Sequence, residues 1–346
     1  MTTVAAAHDE RLASVGIVRR LLARPELSAL CGAVAVFVFF AVYAEAFATG
    51  PGFANVLDPA ATLGIMAVVV ALLMIGGEFD LSAGVMTASS GLIIAMLTTK
   101  AGFNLWLALL VALAFAAMVG FANGYVVMRT RLPSFIVTLG TFLVLQGVNL
   151  GITKLVTGTV QVSGLAQTDG YASARAVFAE TVPIAGGNYR VTIVWWIVVT
   201  VIAVWVLQRT RPGNWIFAVG GGEQGARNVG VPTVRTKIGL FMTVSVAAAL
   251  VGAMLTVRLT SVQANAGIGE EFQYIIAAVI GGCLLTGGYG SAFGAAVGAL
   301  IFGMAQQGIV FAGWDSDWFQ AFLGTLLLAA ALVNYYVRRR AEVMKR

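Results

Sequence analysis

The chain has 346 residues, of which 59% are hydrophobic and only 10% are charged. A soluble domain carries about 25% charged residues, so this composition excludes a soluble globular protein. The net charge of +6 does not indicate a nucleic-acid partner, because a nucleic-acid surface needs basic residues clustered on a folded soluble face.

Apolar segments mark the parts of the chain that can cross a bilayer. A helix of about 17–25 apolar residues is long enough to span the hydrocarbon core. We therefore predict an all-α polytopic membrane protein with about ten transmembrane helices, at 27–47, 57–75, 81–99, 104–128, 133–155, 191–208, 238–257, 271–285, 291–311 and 318–337. The eighth segment is short and interrupted by glycine, so we expect some spans to be broken or re-entrant. The membrane domain covers 27–337, between an N-terminal tail at 1–26 and a C-terminal tail at 338–346.

The basic residues indicate which side of the membrane each segment faces. With a cytoplasmic N-terminus, all but five of the 21 Lys and Arg residues fall in cytoplasmic segments, as the positive-inside rule expects. The exceptions are Lys100, Lys154, Arg175, Arg190 and Arg258. An even number of spans then predicts that both termini are cytoplasmic.

Two polar loops separate long apolar segments. Residues 156–190 form a predicted external loop, which is either simply solvated or part of a docking surface for an external partner. Residues 209–237 form a predicted cytoplasmic loop with a candidate short helix from Glu223 to Val229. Glu223 and Arg227 are four residues apart, a spacing at which opposite charges support a helix. Such a helix is a natural contact for a cytoplasmic partner; the alternative is a solvated loop with an incidental helical turn.

Two glycine-rich turns join neighbouring spans on the predicted cytoplasmic side, at 76–84 and 281–291. Irregular backbone at membrane depth occurs only where it is buried in protein or lines a water-filled cavity. The turns are therefore candidates for the inner mouth of a translocation pathway. Asp80 and Ser82 of the first turn are candidate pathway residues, although the alternative role of Asp80 is the N-cap of the third span.

Charged side chains are nearly absent from the interiors of the predicted spans. An ion-coupled carrier needs titratable groups there, so this absence argues against one. The deep polar residues are amides and hydroxyls, which suit a neutral polyhydroxylated solute or, alternatively, hydrogen bonds between helices. Gln146, Asn149 and Gln306 are the candidate pathway residues from this set.

Small residues recur at a spacing that lets helices approach closely in lipid. The three sets are Gly120/Gly124, Gly147/Gly151 and Gly290/Gly294/Gly298. We expect all three to be helix-packing contacts.

The sequence contains no motif for catalysis or for a cofactor. It lacks the phosphate-binding loop of ATPases, so this chain is not expected to be an enzyme or to hydrolyse ATP by itself. The only histidine is His8, in the tail, and Cys31 and Cys283 lie in apolar segments. We therefore predict no metal site, no cofactor and no disulfide.

Three stretches resemble one family, the membrane permeases of bacterial ABC importers for monosaccharides of the ribose/xylose/galactose type. The stretch from Gly77 to Gly84 is similar to the family's Gly-[Ile/Phe]-Asp-Leu-Ser-Val-Gly, with Glu78 and Ala83 as departures. The stretch from Gly220 to Val231 is similar to Gly-Gly-Asn-Glu-x-Ala-Ala-Arg-x-Ser-Gly-Ile. The third stretch runs from Arg258 to Ser291, and the resemblance covers about residues 27–337.

The resemblance implies a mechanism. Two copies of the permease form a pathway for a sugar or polyol in the inner membrane, surrounded by membrane lipid. An ATPase subunit sits beneath them, and a periplasmic or lipid-tethered binding protein delivers the solute. The short helix is then the ATPase-coupling helix, with Glu223, Gln224, Ala226, Arg227 and Gly230 as its site residues. The alternative is a stand-alone ion-coupled secondary carrier or facilitator of a small polar solute.

Overall fold

A computed structural model describes the backbone of residues 25–343 and the side chains of residues 26–332. Most of the predicted tail 1–26, with His8, lies outside the described residues, as do residues 344–346. The predicted tail 338–346 begins inside the last helix, which continues to Val343.

The described chain is mainly helical. Its α-helices are α1 (Pro25–Tyr43), α2 (Gly50–Ile75), α3 (Ala83–Thr99), α4 (Leu105–Thr130), α5 (Ser134–Thr157), α6 (Tyr171–Phe178), α7 (Thr192–Arg209), α8 (Arg211–Gly221), α9 (Glu223–Asn228), α10 (Thr233–Leu259), α11 (Glu270–Ile280), α12 (Ala292–Phe311) and α13 (Trp318–Val343). Four short strands accompany them: β1 (Gln161–Ser163), β2 (Thr181–Ile184), β3 (Gly187–Arg190) and β4 (Ser261–Gln263).

Each of the ten predicted segments coincides with one helix. Within residues 25–343, seven helices are long and apolar enough to cross a membrane, and Ala83–Thr99 and Trp318–Leu332 are shorter apolar helices. The eighth predicted segment is α11, which has only 11 residues. At 1.5 Å per residue it is about 16 Å long, roughly half of the hydrocarbon core of about 30 Å. The chain is therefore an all-α polytopic membrane protein with a shortened eighth segment.

Three of the seven span-length helices form the centre of the bundle, together with α3, most of whose residues are buried. The apolar windows of α2, α10 and α12 are 78%, 61% and 72% buried, whereas those of α1, α5 and α7 are 17%, 17% and 22% buried. α2 packs along α12 and α7, and α10 packs along α4 and α3. The second group of helices thus forms the outer surface, with apolar side chains facing lipid or another chain.

Close packing accounts for two of the three glycine sets. A Cβ on Gly120 would stand 2.7 Å from the Cα of Met242, and a Cβ on Gly124 would stand 2.8 Å from the Cα of Ile238, so α4 and α10 touch through their backbones. In the third set, Gly298 lets α12 lie close to the end of α11, since a Cβ on Gly298 would stand 2.9 Å from the Gly281 nitrogen.

The helix-packing prediction for Gly147 and Gly151 was wrong for contacts within the chain. A Cβ on Gly147 or Gly151 would meet no described atom within 4 Å. These glycines lie on an outer face of α5, and they leave that face open.

Residues 156–190 form an ordered cap at one end of the bundle, which we call the hairpin end. β1 pairs antiparallel with β4, and β2 pairs antiparallel with β3 to make a hairpin. The Tyr171 hydroxyl donates to the Val257 carbonyl at 3.3 Å, which fastens α6 to the end of α10. This segment is therefore more structured than the simple solvated loop that the sequence favours.

An ion cluster fixes the same cap to the bundle. Asp58 of α2 accepts hydrogen bonds from both terminal nitrogens of Arg258, at 2.9 and 2.8 Å, and from Arg190 Nε at 3.1 Å. Arg190 and Arg258 are two of the five basic residues predicted to be external. One carboxylate shared between two guanidinium groups holds β3 and the end of α10 against α2.

Candidate functional site

The predicted cytoplasmic loop 209–237 is built mainly of helix. α8 begins after Thr210, whose hydroxyl accepts the Gly213 N–H at 3.3 Å. Pro212 occupies the first turn, where a missing N–H costs nothing, and Ile216 and Val219 are buried. We had not predicted α8; a threonine N-cap two residues before proline, followed by apolar residues three apart, is the signal that would have found it.

α9 confirms the candidate helix from Glu223 to Val229, which ends one residue earlier than expected. Gly230 closes it with φ of 84°, and its N–H donates to the Arg227 carbonyl at 3.0 Å. Only glycine adopts this left-handed conformation without steric cost. The glycine at position 230 therefore allows α9 to end at this point without backbone strain.

The predicted coupling residues divide into one anchor and an exposed surface. Ala226 is 5% exposed and faces the bundle, whereas Gln224, Arg227 and Gly230 are exposed and Glu223 is half-buried. Val229, which was not among the predicted residues, is 79% exposed at the tip. A single exposed apolar side chain is common on protein surfaces, so the interest of Val229 lies in its place at the tip of α9.

A chain of ion pairs fixes α9 to the bundle. Lys237, in the second turn of α10, contacts Glu78 Oε1 at 2.5 Å and Glu223 Oε2 at 2.7 Å, and Arg227 contacts Glu223 Oε1 at 3.1 Å. The hydrogen bond from Lys237 lowers the pKa of Glu223 below its usual value, although partial burial opposes this. Glu223 is therefore ionised throughout the physiological pH range.

Sequence reasoning missed the central pair of this chain. Glu78 was noted only as a departure from the family pattern, and Lys237 only as one basic residue among several. They are 159 residues apart, so neither residue contains a signal for the other.

Three glycine-rich segments meet next to α9, at what we call the glycine junction: Gly76–Gly77, Gly220–Gly222 and Gly287–Gly288. The Gly288 N–H donates to the Ile75 carbonyl at 2.8 Å. A Cβ on Gly287 would stand 2.7 Å from the Gly77 Cα, and a Cβ on Gly220 would overlap the Ile75 carbonyl oxygen. The end of α8 therefore touches both predicted glycine-rich turns through backbone atoms, and together these segments define the α9 end of the bundle.

The candidate pathway residues Asp80 and Ser82 belong to a buried hydrogen-bond chain. Asp80 Oδ1 accepts from the Ser82 backbone N–H at 2.9 Å and from the Ser82 hydroxyl at 2.5 Å. Asn123 Nδ2 donates to the Ser82 hydroxyl at 3.1 Å, and the Thr141 hydroxyl donates to Asn123 Oδ1 at 2.6 Å. The chain thus joins the turn to α4 and α5.

The capping bond that the alternative role of Asp80 requires is present, because Asp80 Oδ1 accepts the Ser82 N–H two residues on. Ser82 directly precedes α3, but it has helical dihedral angles and makes no side-chain capping bond. Asp80 lies two residues before Ser82 and closes a short turn by accepting both of that residue's hydrogen bonds. Its other oxygen, Oδ2, is buried without a hydrogen-bond partner among the described residues. Burial raises the pKa of Asp80 to about 6, while its bonds from Ser82 oppose the rise.

The other candidate pathway residues are not brought to the same place. Gln146 and Asn149 lie on α5, which packs against α3 and α4, while Gln306 lies on α12, which packs mainly against α2 and α1. Asn149 is 6% exposed, and its Nδ2 has no partner among the described residues; Gln146 and Gln306 are half-buried. Their pathway role stays a prediction.

No group of three His, Cys, Asp or Glu side chains within residues 25–343 is placed to hold a metal ion. The arrangement at the α9 end consists of one exposed element and its attachment to the bundle. It presents an exposed short helix whose base is fixed to the turns between the central helices.

Comparison with known proteins identifies the family. Residues 52–331 match a family described as the permease component of a branched-chain amino acid transport system. The fructose import permease protein FrcC of Rhizobium meliloti is 30% identical over 83% of this chain and 78% of its own length. The ribose import permease protein RbsC of Escherichia coli K12 is 32% identical over 81% of this chain and 84% of its own length. The xylose transport system permease protein XylH of the same organism is 27% identical over 89% of this chain and 91% of its own length. No solved structure matches significantly.

These relatives and the seven span-length helices place the chain among multi-pass proteins of the bacterial inner membrane. Permease components are not enzymes, and ATP hydrolysis takes place on a separate subunit. The chain belongs to the transport-system permease component family and is a permease subunit of a bacterial ABC transporter.

Proposed function

We propose that this chain forms the translocation pathway of an ATP-driven importer and that α9 is its contact with the ATPase subunit. The observation that carries the proposal is the arrangement of α9, which exposes Gln224, Arg227 and Val229 while its base is fixed by Lys237 and the glycine junction. A surface that is exposed yet rigidly connected can receive a force and pass it on. The α9 end then faces the cytoplasm, both termini are cytoplasmic, and the chain crosses the membrane ten times.

The proposed solute is a neutral monosaccharide or polyol, delivered by a periplasmic or lipid-tethered binding protein at the hairpin end. The relatives named for fructose, ribose and xylose import support this class. Amide side chains such as Gln146, Asn149 and Gln306 can donate hydrogen bonds to hydroxyl groups and accept them without carrying a charge. We propose these residues, with Asp80 and Ser82, as pathway residues.

We also propose a second copy of the chain as a partner. α5 is largely unburied within one chain, and Gly147 and Gly151 leave an open face on it. Small residues of this kind let two helices approach closely in lipid. The remaining outer faces contact membrane lipid.

Uptake into proteoliposomes tests the proposed function. We expect no accumulation of ribose, xylose, fructose or a polyol by the chain alone, with or without a proton gradient, because no ATP-hydrolysing unit is present. Adding the ATPase and binding-protein subunits and ATP is expected to start uptake. Accumulation against a gradient by the chain alone would instead establish the alternative, an ion-coupled secondary carrier.

The proposed topology is testable with single cysteines in a Cys31→Ser background. We expect Val229→Cys to react with a membrane-impermeant maleimide only in inverted vesicles, and Asn188→Cys, exposed on β3, only in right-side-out cells. Buried Cys283 serves as the internal unreactive thiol. Labelling of both cysteines from the same side would contradict the topology.

A further inference from the structure

Lys237 occupies an unusual position for a lysine in an apolar helix. Its side chain is 9% exposed, and that of Glu78 is 11% exposed. A buried charge is tolerated only when it is paired and hydrogen-bonded, and Lys237 has two carboxylate partners from two different segments. Glu78 belongs to the turn after α2, while Glu223 is the first residue of α9.

The charges of this group balance. Glu78 and Glu223 contribute two negative charges, and Lys237 and Arg227 contribute two positive charges. Among the described residues, Glu78 forms an ion pair only with Lys237, in a largely buried site, whereas Glu223 is 36% exposed and also pairs with Arg227. Separating Lys237 from Glu78 is strongly unfavourable because both are buried, so a shift of Lys237 moves Glu78 with it. The charge-assisted hydrogen bond of 2.7 Å from Lys237 to Glu223 connects this buried pair to α9.

Glu78 lies two residues before Asp80, at the start of the buried hydrogen-bond chain that reaches α4 and α5. The backbone of the same turn is held by α5: the Phe79 N–H donates to the Ser134 hydroxyl at 3.1 Å, and the Leu81 N–H donates to the Thr138 hydroxyl at 3.0 Å. The turn therefore connects the ion pairs on one side with two outer helices on the other.

We propose that Lys237 is a positioning residue that transmits a displacement of α9, through Glu78, to the turn at residues 76–82 and from there to α5. The inference rests on the proposed contact between α9 and the ATPase. Lys237 itself touches neither nucleotide nor solute. The glycine junction joins the end of α8 to both glycine-rich turns through backbone contacts, whereas the ion pairs join α9 and α10 to residue 78. Removing the ion pairs therefore tests the second connection alone.

The test uses the assembled complex and a Glu78→Leu/Lys237→Met variant. Replacing both members of a buried ion pair by apolar residues of similar size is often neutral for stability, so this variant is expected to fold and to bind the ATPase. Lys237→Arg keeps the charge and is the conservative control. A Leu81→Cys substitution in the Cys31→Ser background reports on the turn, where residue 81 is half-buried.

The readout is the rate at which Leu81→Cys reacts with a maleimide in the nucleotide-free and the vanadate-trapped complex. Since coupling between sites amounts to about 5-fold or more, we expect trapping to change this rate by about that factor with the native pair and with Lys237→Arg. In the Glu78→Leu/Lys237→Met variant the change is expected to disappear although the ATPase still co-purifies.

A rate change that persists in the double variant overturns the inference, as does the absence of any change in the parent complex. Binding of the ATPase is measured separately by co-purification. If the parent binds the ATPase but shows no rate change, the proposed contact between α9 and the ATPase is supported and the role of Lys237 is contradicted. If the parent does not bind the ATPase, the proposed function is contradicted as well.

Discussion

Gly220→Ala is expected to lower the thermal stability of the chain strongly, whereas Gly221→Ala, one residue further on, is expected to leave it unchanged. A Cβ on Gly220 would overlap the Ile75 carbonyl oxygen, which also accepts the Gly288 N–H. A Cβ on Gly221 would meet no described atom within 4 Å. The two substitutions add the same methyl group to the same turn of α8, so only the contact differs.

The expected loss of stability in Gly220→Ala depends on which atoms must move to make room for the methyl group. Overpacking a well-packed site costs about 1–3 kcal/mol and occasionally more, and here the obstacle is backbone rather than a side chain that can rotate. We expect a loss near the upper end, about 3 kcal/mol, which corresponds to a decrease in Tm of roughly 5–10 °C. Thermal unfolding in detergent measures it, with size-exclusion chromatography as a check on folding. Equal melting temperatures for the two variants would contradict the glycine junction.

Hydropathy and charge predicted the membrane-spanning helices because each can be read from a short stretch of sequence without knowledge of tertiary contacts. Each apolar segment is long enough to be recognised by itself, and each of the ten coincides with a helix. Proline and charge hid α8: its first residue is Arg211 and its second is Pro212, so the segment has the composition of a loop. Burial of Ile216 and Val219 against neighbouring helices, which composition alone does not reveal, makes it a helix.

The candidate site was predictable only in its exposed part. α9 was found because Glu223 and Arg227 support each other within one turn. Its attachment was not found, since Lys237 and Glu78 come from segments 159 residues apart and their pairing is a property of the packed bundle. Both glycine-rich turns were singled out, but their meeting with Gly220 also depends on tertiary contacts.

Val229→Asp is expected to prevent stable binding of the ATPase subunit while leaving the permease folded. The side chain is 79% exposed at the end of α9, so an aspartate there costs the isolated chain little. In the proposed complex the same side chain enters a cleft of the ATPase and loses its contact with water. Leaving a buried polar group without a partner costs about 1–3 kcal/mol and more for a charge, so an unpaired carboxylate in this position is expected to cost about 2 kcal/mol or more of binding free energy.

Val182→Asp is the matched control, because Val182 is also an exposed valine, 46% accessible, but lies on β2 at the hairpin end. A loss of about 2 kcal/mol weakens binding roughly 30-fold, since each 1.4 kcal/mol is a factor of ten. Co-purification and the ATPase activity of the assembled complex measure this effect. Both variants should melt at the parent temperature, and only Val229→Asp should lose the ATPase. Equal retention of the ATPase by both variants would show that α9 is not its contact, because no other difference between the two substitutions bears on that subunit.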